Sequence, residues 1–73
     1  MKGELLYKVP KDVKVGDIII EDNNMFEVVD ITNNKGRTWE YKVYNTMDSR
    51  IFTSTIIYSK YDVLIVFERE KKT

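Results

Sequence analysis

Short stretches of β-forming residues, separated by polar turns, are the feature that most constrains the fold of this chain. The clearest stretch is residues 38–45, in which three large apolar side chains alternate with polar or amphipathic ones: Trp39, Tyr41 and Val43 against Glu40, Lys42 and Tyr44. A period of two places the two sets on opposite faces of a strand. The pattern predicts a strand with one core face and one solvent face, and it predicts that Trp39 belongs to the core.

The composition indicates an all-β domain. Valine, isoleucine, threonine and the three aromatic types contribute 31 of the 73 residues, whereas alanine and glutamine are absent. β-Branched and aromatic side chains lose rotamer freedom in helices and pack well on a pleated sheet. Several short strands in so short a chain favour closure into a barrel. We therefore predict one domain over residues 1–73, an SH3-like barrel of five to six short antiparallel strands, with an OB-type barrel as the alternative. The charged residues 68–73 are predicted to form a frayed tail.

The residue types exclude several classes of chemistry. Cysteine and histidine are both absent, which removes disulfides, thiol nucleophiles, Cys/His zinc sites and histidine-based catalysis. The sequence contains no Gly-rich phosphate loop, nucleophile elbow or spaced set of metal ligands. We expect a protein that is not an enzyme and that holds no cofactor or metal. The N-terminal residues lack the apolar stretch of a signal peptide, and no apolar run is long enough to span a bilayer, so we expect a cytoplasmic protein without a membrane partner.

Charge is unevenly distributed although it sums to zero. Residues 17–30 carry five carboxylates and no base, which we interpret as a negative surface that keeps an edge strand soluble. Residues 31–50 are mildly basic. The candidate nucleic-acid-binding residues are Lys35, Arg37, Lys42, Tyr44 and Arg50. The four cations could neutralise phosphates, and Tyr44 could stack on a base, so they predict weak binding of RNA or single-stranded nucleic acid; an ordinary solvated strand face is the alternative.

Two unbroken apolar runs, residues 18–20 and residues 63–67, do not alternate. A half-exposed antiparallel strand should alternate, so continuous runs indicate burial on both faces. One small core cannot cover both faces of two strands. Either the N-terminal strand folds over the outside of the barrel, or Ile19, Leu64 and Val66 form a protein interface with another protein or with a second copy in a homodimer.

Residues 13–66 resemble the N-terminal, KOW-like domain of the elongation factor P family. The matching motifs are residues 14–19 (KVGDII) before a short hairpin and a valine-rich strand, and residues 35–39 (KGRTW), where the family has a Lys-Gly loop before an aromatic-led strand. The usual Pro-Gly before the loop lysine is replaced by Asn33-Asn34, and the factor's two further domains are not in this sequence. The resemblance implies an SH3-like barrel used for binding, and not a translation factor.

Two functions remain as hypotheses. The first is a non-enzymatic module that binds RNA or nucleic acid within transcription or translation, which the resemblance and the basic cluster favour. The second is a protein–protein interaction module that regulates a host protein or self-associates, which the zero net charge and the apolar runs favour. The chain is rich in amino acids with AT-rich codons, which indicates an AT-rich bacterium, a phage or another mobile element as its source.

Overall fold

The computed structural model describes residues 3–48 and 52–69. Six antiparallel strands form one sheet: β1 (Gly3–Lys8), β2 (Ile18–Glu21), β3 (Asn24–Asn34), β4 (Thr38–Asn45), β5 (Thr53–Ser59) and β6 (Leu64–Arg69), with a 3-10 turn at Pro10–Asp12. The strand order is β1-β6-β2-β3-β4-β5, so β1 and β5 are the two edges. The predicted all-β, barrel-like domain of five to six antiparallel strands is confirmed. Within the described ranges, no helix has the length and apolar character needed to cross a membrane.

Two tight turns set the hairpins on either side of β3. Asp22 and Asn23 both have positive φ, at 50° and 63°, and they form the two-residue connection between β2 and β3. Aspartate and asparagine tolerate this left-handed conformation better than other residues with a Cβ. The β3–β4 loop is residues 35–37, where the N–H of Gly36 donates to Asn33 Oδ1 at 2.7 Å. Both loops are therefore short enough to keep the strands in one continuous sheet.

The core is formed by the inward side chains of β2 to β6 and by the loop residue Val13. Its buried members are Val13, Ile19, Val28, Trp39, Tyr41, Val43, Tyr58, Leu64 and Val66. The predicted alternation along β4, and the core position of Trp39, are confirmed. The Tyr41 hydroxyl donates to the carbonyl oxygen of Pro10 at 2.5 Å, which fastens the 3-10 turn against β4. Burial, with a smaller contribution from the charge of Asp17, raises the pKa of Tyr41 to about 12.

The apolar run that includes β6 alternates between buried and more exposed residues, whereas in β2 both Ile18, at 4% exposed, and its neighbour Ile19 are buried, as expected for a run that is buried on both faces. Ile19, Leu64 and Val66 are 1%, 5% and 0% exposed, so the prediction that these three form a protein interface is wrong. The other interpretation, an N-terminal strand folded over the outside, is also wrong. β1 lies in the sheet beside β6, where Leu5 and Tyr7 are exposed. The exposed residues of the β6 run are instead Val63 and Ile65.

The last strand extends into the predicted charged tail. β6 continues through Glu68 and Arg69, which were expected to begin a frayed tail. Glu68 accepts a hydrogen bond from Lys8 Nζ at 2.6 Å, and Arg69 Nη2 donates to Glu27 Oε1 at 2.6 Å. These charged side chains stabilise the end of the strand because each is paired with an opposite charge, Glu68 with Lys8 on the adjacent strand β1 and Arg69 with Glu27 on β3, two strands away. Residues 70–73 lie outside the described residues.

Candidate functional site

Four neighbouring strands carry apolar side chains on the face of the sheet opposite to the core. The register places Leu5, Phe67 and Ile18 side by side in one row, and it places Tyr7, Ile65, Ile20 and Met25 in a second row. The row between them contains Val66 and Ile19, which are buried in the core. Since successive residues of a strand point to opposite faces, both flanking rows point outward. We name Leu5, Tyr7, Ile20, Met25, Ile65 and Phe67 the outer apolar face.

Four of the six side chains of the outer apolar face are exposed, whereas Ile20 and Phe67 are half-buried. Tyr7 is 79% exposed, Leu5 64%, Ile65 43% and Met25 36%. The solvent face of an antiparallel sheet normally carries polar side chains. A contiguous apolar patch on a small domain instead marks a surface that another molecule covers. Two such rows on adjacent strands therefore form a candidate binding surface.

A groove of about 390 Å³ lies at one end of this face. Its lining residues are Ile18, Met25, Tyr44, Thr46, Phe67 and Arg69. Arg69 is held in place by its 2.6 Å ion pair with Glu27, while its buried Nε has no hydrogen-bond partner within the described ranges. An unpaired buried donor costs roughly 1–3 kcal/mol. The groove thus combines apolar walls, which suit an apolar side chain, with the guanidinium of Arg69 at its edge.

The structure does not bring the predicted nucleic-acid-binding residues together. Lys35 and Arg37 lie in the β3–β4 loop, whereas Lys42 and Tyr44 lie further along β4. Seven residues separate Arg37 from Tyr44, which corresponds to roughly 23 Å along a strand. Tyr44 is half-buried and lines the apolar groove instead. Arg50, the fifth predicted residue, lies outside the described residues.

The surroundings of Lys42 are acidic. Its partner on β3 is Asp30, its partner on β5 is Thr55, and Glu40 lies two residues away on the same face. Together with Thr32, these side chains line a shallow polar depression. Two carboxylates beside one ammonium give a local excess of negative charge, which disfavours a phosphate. The acidic surroundings of Lys42 therefore disfavour its predicted role as a phosphate contact.

A different group of cations meets at one end of the sheet. The N–H of Lys60 donates to the carbonyl oxygen of Arg37 at 2.9 Å, which brings the β5–β6 turn beside the β3–β4 loop. Lys60 Nζ lies 5.0 Å from the centroid of the Tyr61 ring, and Tyr61 is 81% exposed. We name Lys35, Arg37, Lys60 and Tyr61 the loop-end cluster. Sequence reasoning missed Lys60 and Tyr61 because only the pairing of β4 with β5 brings them near Arg37.

The carboxylates of residues 17–30 are dispersed into separate contacts. Asp17 is buried and accepts from Lys8 Nζ at 2.8 Å and from the N–H of Lys14 at 2.9 Å. Glu21 accepts from the Tyr58 hydroxyl at 3.1 Å. β2 and β3 are interior strands, so the interpretation of these acids as protection for an edge strand is wrong. In the part of the chain that the structure describes, no three of these side chains are grouped to hold a metal ion.

Lys8 connects the edge strand to the rest of the sheet by charge. Burial of its ammonium group lowers the pKa, but hydrogen bonds and charge interactions with Asp17 and Glu68 outweigh burial, and the pKa of Lys8 is raised above its ordinary value. Lys8 is therefore charged at neutral pH and links β1 to the loop before β2 and to β6.

Comparison with known proteins identifies no relative. No protein-family model, no curated protein and no solved structure matches the chain. The resemblance to the KOW-like domain of elongation factor P stays a prediction from the sequence motifs.

Proposed function

We propose that this domain is a non-enzymatic protein-binding module and that the outer apolar face is its docking surface. The observation that carries the proposal is the pair of apolar rows across β1, β6, β2 and β3, opposite to the core. Removing apolar surface from water stabilises a complex by roughly 25 cal/mol per Å². The partner is a polypeptide that presents apolar side chains to this face.

The chemistry of the face favours a protein over a nucleic acid. None of its six residues is charged, whereas nucleic-acid binding depends on cations that neutralise phosphates. The centres of protein interfaces are depleted of charge and enriched in aromatic residues and methionine. Tyr7, Phe67 and Met25 supply those residue types here.

The adjoining groove provides a place for an anchoring side chain. An apolar side chain of the partner would pack against Ile18, Met25 and Phe67, which line the groove. The carbonyl groups of the partner would lie near Arg69, whose guanidinium presents several donors in a fixed fork. Binding energy in protein interfaces concentrates in such filled pockets.

The test is a selection of binding peptides from a random display library, followed by mapping on the isotope-labelled domain. We expect the selected peptides to shift the amide resonances of β1, β6 and β2, and to lose affinity at least about tenfold for Ile65→Lys. The matched control is Ile57→Lys, because Ile57 is also exposed but lies on β5, away from the face. Peptides that map elsewhere, or that bind both variants equally, would contradict the proposal.

The loop-end cluster supports a second candidate function, binding of single-stranded RNA. Three cations and an exposed tyrosine lie at one end of the sheet, and aromatic side chains beside cations stack on bases. Three phosphate contacts predict a salt slope of about −2 on single strands. We expect Lys60→Glu to abolish weak binding at low salt and Lys42→Glu to leave it unchanged. At 20 mM salt the Debye length is roughly 20–30 Å, so charges are screened little. If the wild-type domain does not bind RNA under this condition, this candidate function is eliminated.

A further inference from the structure

The edge strand β1 has one side of its backbone unpaired within the described sheet. It pairs with β6 on its other side, and alternate residues of β1 direct their N–H and C=O groups away from β6. Soluble proteins usually protect such edges with charges, prolines or bulges. The centre of β1 is instead Leu5, Leu6 and Tyr7. We infer that a second copy of this chain pairs antiparallel with β1, forming a homodimer with its two-fold axis at Leu6.

This inference rests on the proposed protein-binding role of the outer apolar face and names one partner for it. Pairing across a two-fold axis at Leu6 places Leu5 opposite Tyr7 of the second copy, twice by symmetry. Glu4 then lies opposite Lys8 of the second copy. Apolar residues meet apolar residues, and no like charges lie directly opposite each other.

The neighbouring registers are less favourable. An axis at Leu5 places Glu4 opposite Leu6, and an axis at Tyr7 places Leu6 opposite Lys8. Each of these registers sets a charged residue against a leucine, and the axis at Tyr7 also pairs only three residues of β1, against five for the axis at Leu6. The segment Glu4-Leu5-Leu6-Tyr7-Lys8 is therefore self-complementary in one antiparallel register.

The dimer would join the two outer apolar faces. In each row, Phe67 and Leu5 of one copy would continue into Tyr7 and Ile65 of the other, because the strands become neighbours in one twelve-stranded sheet. The other edge strand, β5, offers less apolar surface, since its outward residues are Thr53, Thr55 and Ile57. A ladder about five residues long buries less than about 1,200 Å², the lower limit of stable interfaces, so we expect a weak, concentration-dependent dimer.

The absence of cysteine allows a direct test of the register by disulfide formation. Directly opposite residues in antiparallel strands have Cα atoms about 4.5–5.5 Å apart, within the range that a disulfide bridges. The Cα atoms of the two copies of Leu5 would be roughly 8 Å apart, because they are separated by about 5 Å between the strands and by about 6.6 Å along them. A mixture of Leu5→Cys and Tyr7→Cys chains, distinguished by mass, should therefore form mixed disulfides much faster than either variant alone.

The control for random collisions is Ile57→Cys, an exposed position on β5. Mixed disulfides that form at least about tenfold faster than those of this control support the inference. Equal rates for all combinations, or faster linkage of Leu5→Cys to itself, would overturn it.

Sedimentation equilibrium of the unmodified chain provides a second, independent readout. We expect the average mass to rise towards that of a dimer with concentration, and we expect Tyr7→Lys to remain monomeric while Ile57→Lys associates like the wild type. A monomer that still binds selected peptides at the outer apolar face would overturn the dimer and leave the proposed function intact. A monomer without peptide binding at this face would overturn both.

Discussion

Neighbouring positions on β6 should lose stability to very different extents on the same substitution. Val66 is 0% exposed and lies between Leu6 and Ile19, whereas Ile65 is 43% exposed on the outer apolar face. Val66→Ala removes two buried methyl groups and leaves a cavity, so we expect it to lower the free energy of unfolding by about 2–3 kcal/mol. Ile65→Ala removes more atoms but from a half-exposed site, so we expect a loss of less than about 1 kcal/mol.

Substitution by lysine should widen the difference. Val66→Lys loses the burial of valine and adds an ammonium group to the core, where keeping the lysine neutral at pH 7 alone costs roughly 4–5 kcal/mol, because its ordinary pKa is about 10.4 and each pKa unit corresponds to about 1.4 kcal/mol. A domain of this size has a total stability of roughly 4–11 kcal/mol, so Val66→Lys should be largely unfolded. Ile65→Lys should fold, because its stem can lie along the sheet while the ammonium stays in water.

The measurement is urea unfolding followed by the fluorescence of Trp39, the single tryptophan, which is buried in the core. Protein should be dilute enough that self-association does not contribute to stability. Equal losses for Val66→Ala and Ile65→Ala, or a folded Val66→Lys beside an unfolded Ile65→Lys, would show that the two faces of β6 are assigned the wrong way round.

Two further predictions concern the buried charges and tyrosines. Lys8→Met should lower the free energy of unfolding by on the order of 3 kcal/mol, because it leaves Asp17 buried without its ammonium partner, and adding Asp17→Asn should restore much of the loss in a double-mutant cycle. The free energy of unfolding should also fall as pH rises from about 10 to about 12, because the pKa of Tyr41 is raised from 10.0 to about 12. The pKa of Tyr58 is raised as well, mainly by burial and then by the charge of Glu21. In that interval the unfolded chain releases protons that the folded chain retains, and unfolding curves at several alkaline pH values measure the effect; constant stability up to pH 12 would contradict it.

The sequence predicted the fold and the core of β4 because their signals are local. The alternation of Trp39, Tyr41 and Val43 with polar residues reports directly which face of the strand is buried. For the turn between β2 and β3, the sequence alone favours Asn23-Asn24, whereas in the structure the turn lies one residue earlier, at Asp22-Asn23. Both dipeptides suit a left-handed turn, so residue type alone could not choose between them.

The same reasoning could not assign the faces of β2 and β6. In an unbroken apolar run every residue is a candidate for the core, and periodicity disappears. A shift of one residue exchanges the inward and outward sets completely. The sequence therefore does not show whether Leu64 and Val66 or Ile65 and Phe67 are the outward residues of β6.

The basic residues were misgrouped for a different reason. Residues that are close along the chain need not be close in space, because an extended strand separates Arg37 from Tyr44 by its own length. Lys60 and Tyr61 lie in the β5–β6 turn. They come near Arg37 only because Thr38 of β4 pairs with Ser59 of β5. Such clusters depend on long-range register, which a local pattern does not contain.

The position of β1 is explained better by its outer surface than by the core. None of its six residues is fully buried, and the buried core cluster contains no residue of this strand. The strand is nevertheless held firmly, by six residue pairs with β6 and by the contacts of Lys8 with Asp17 and Glu68. A strand that adds little to the core still orders its backbone, at a cost of roughly 1–2 kcal/mol per residue. What β1 adds in return is Leu5 and Tyr7, the two most exposed members of the outer apolar face, and a free edge beside them. The structure thus places its least buried strand where a partner would complete both the apolar rows and the backbone pairing.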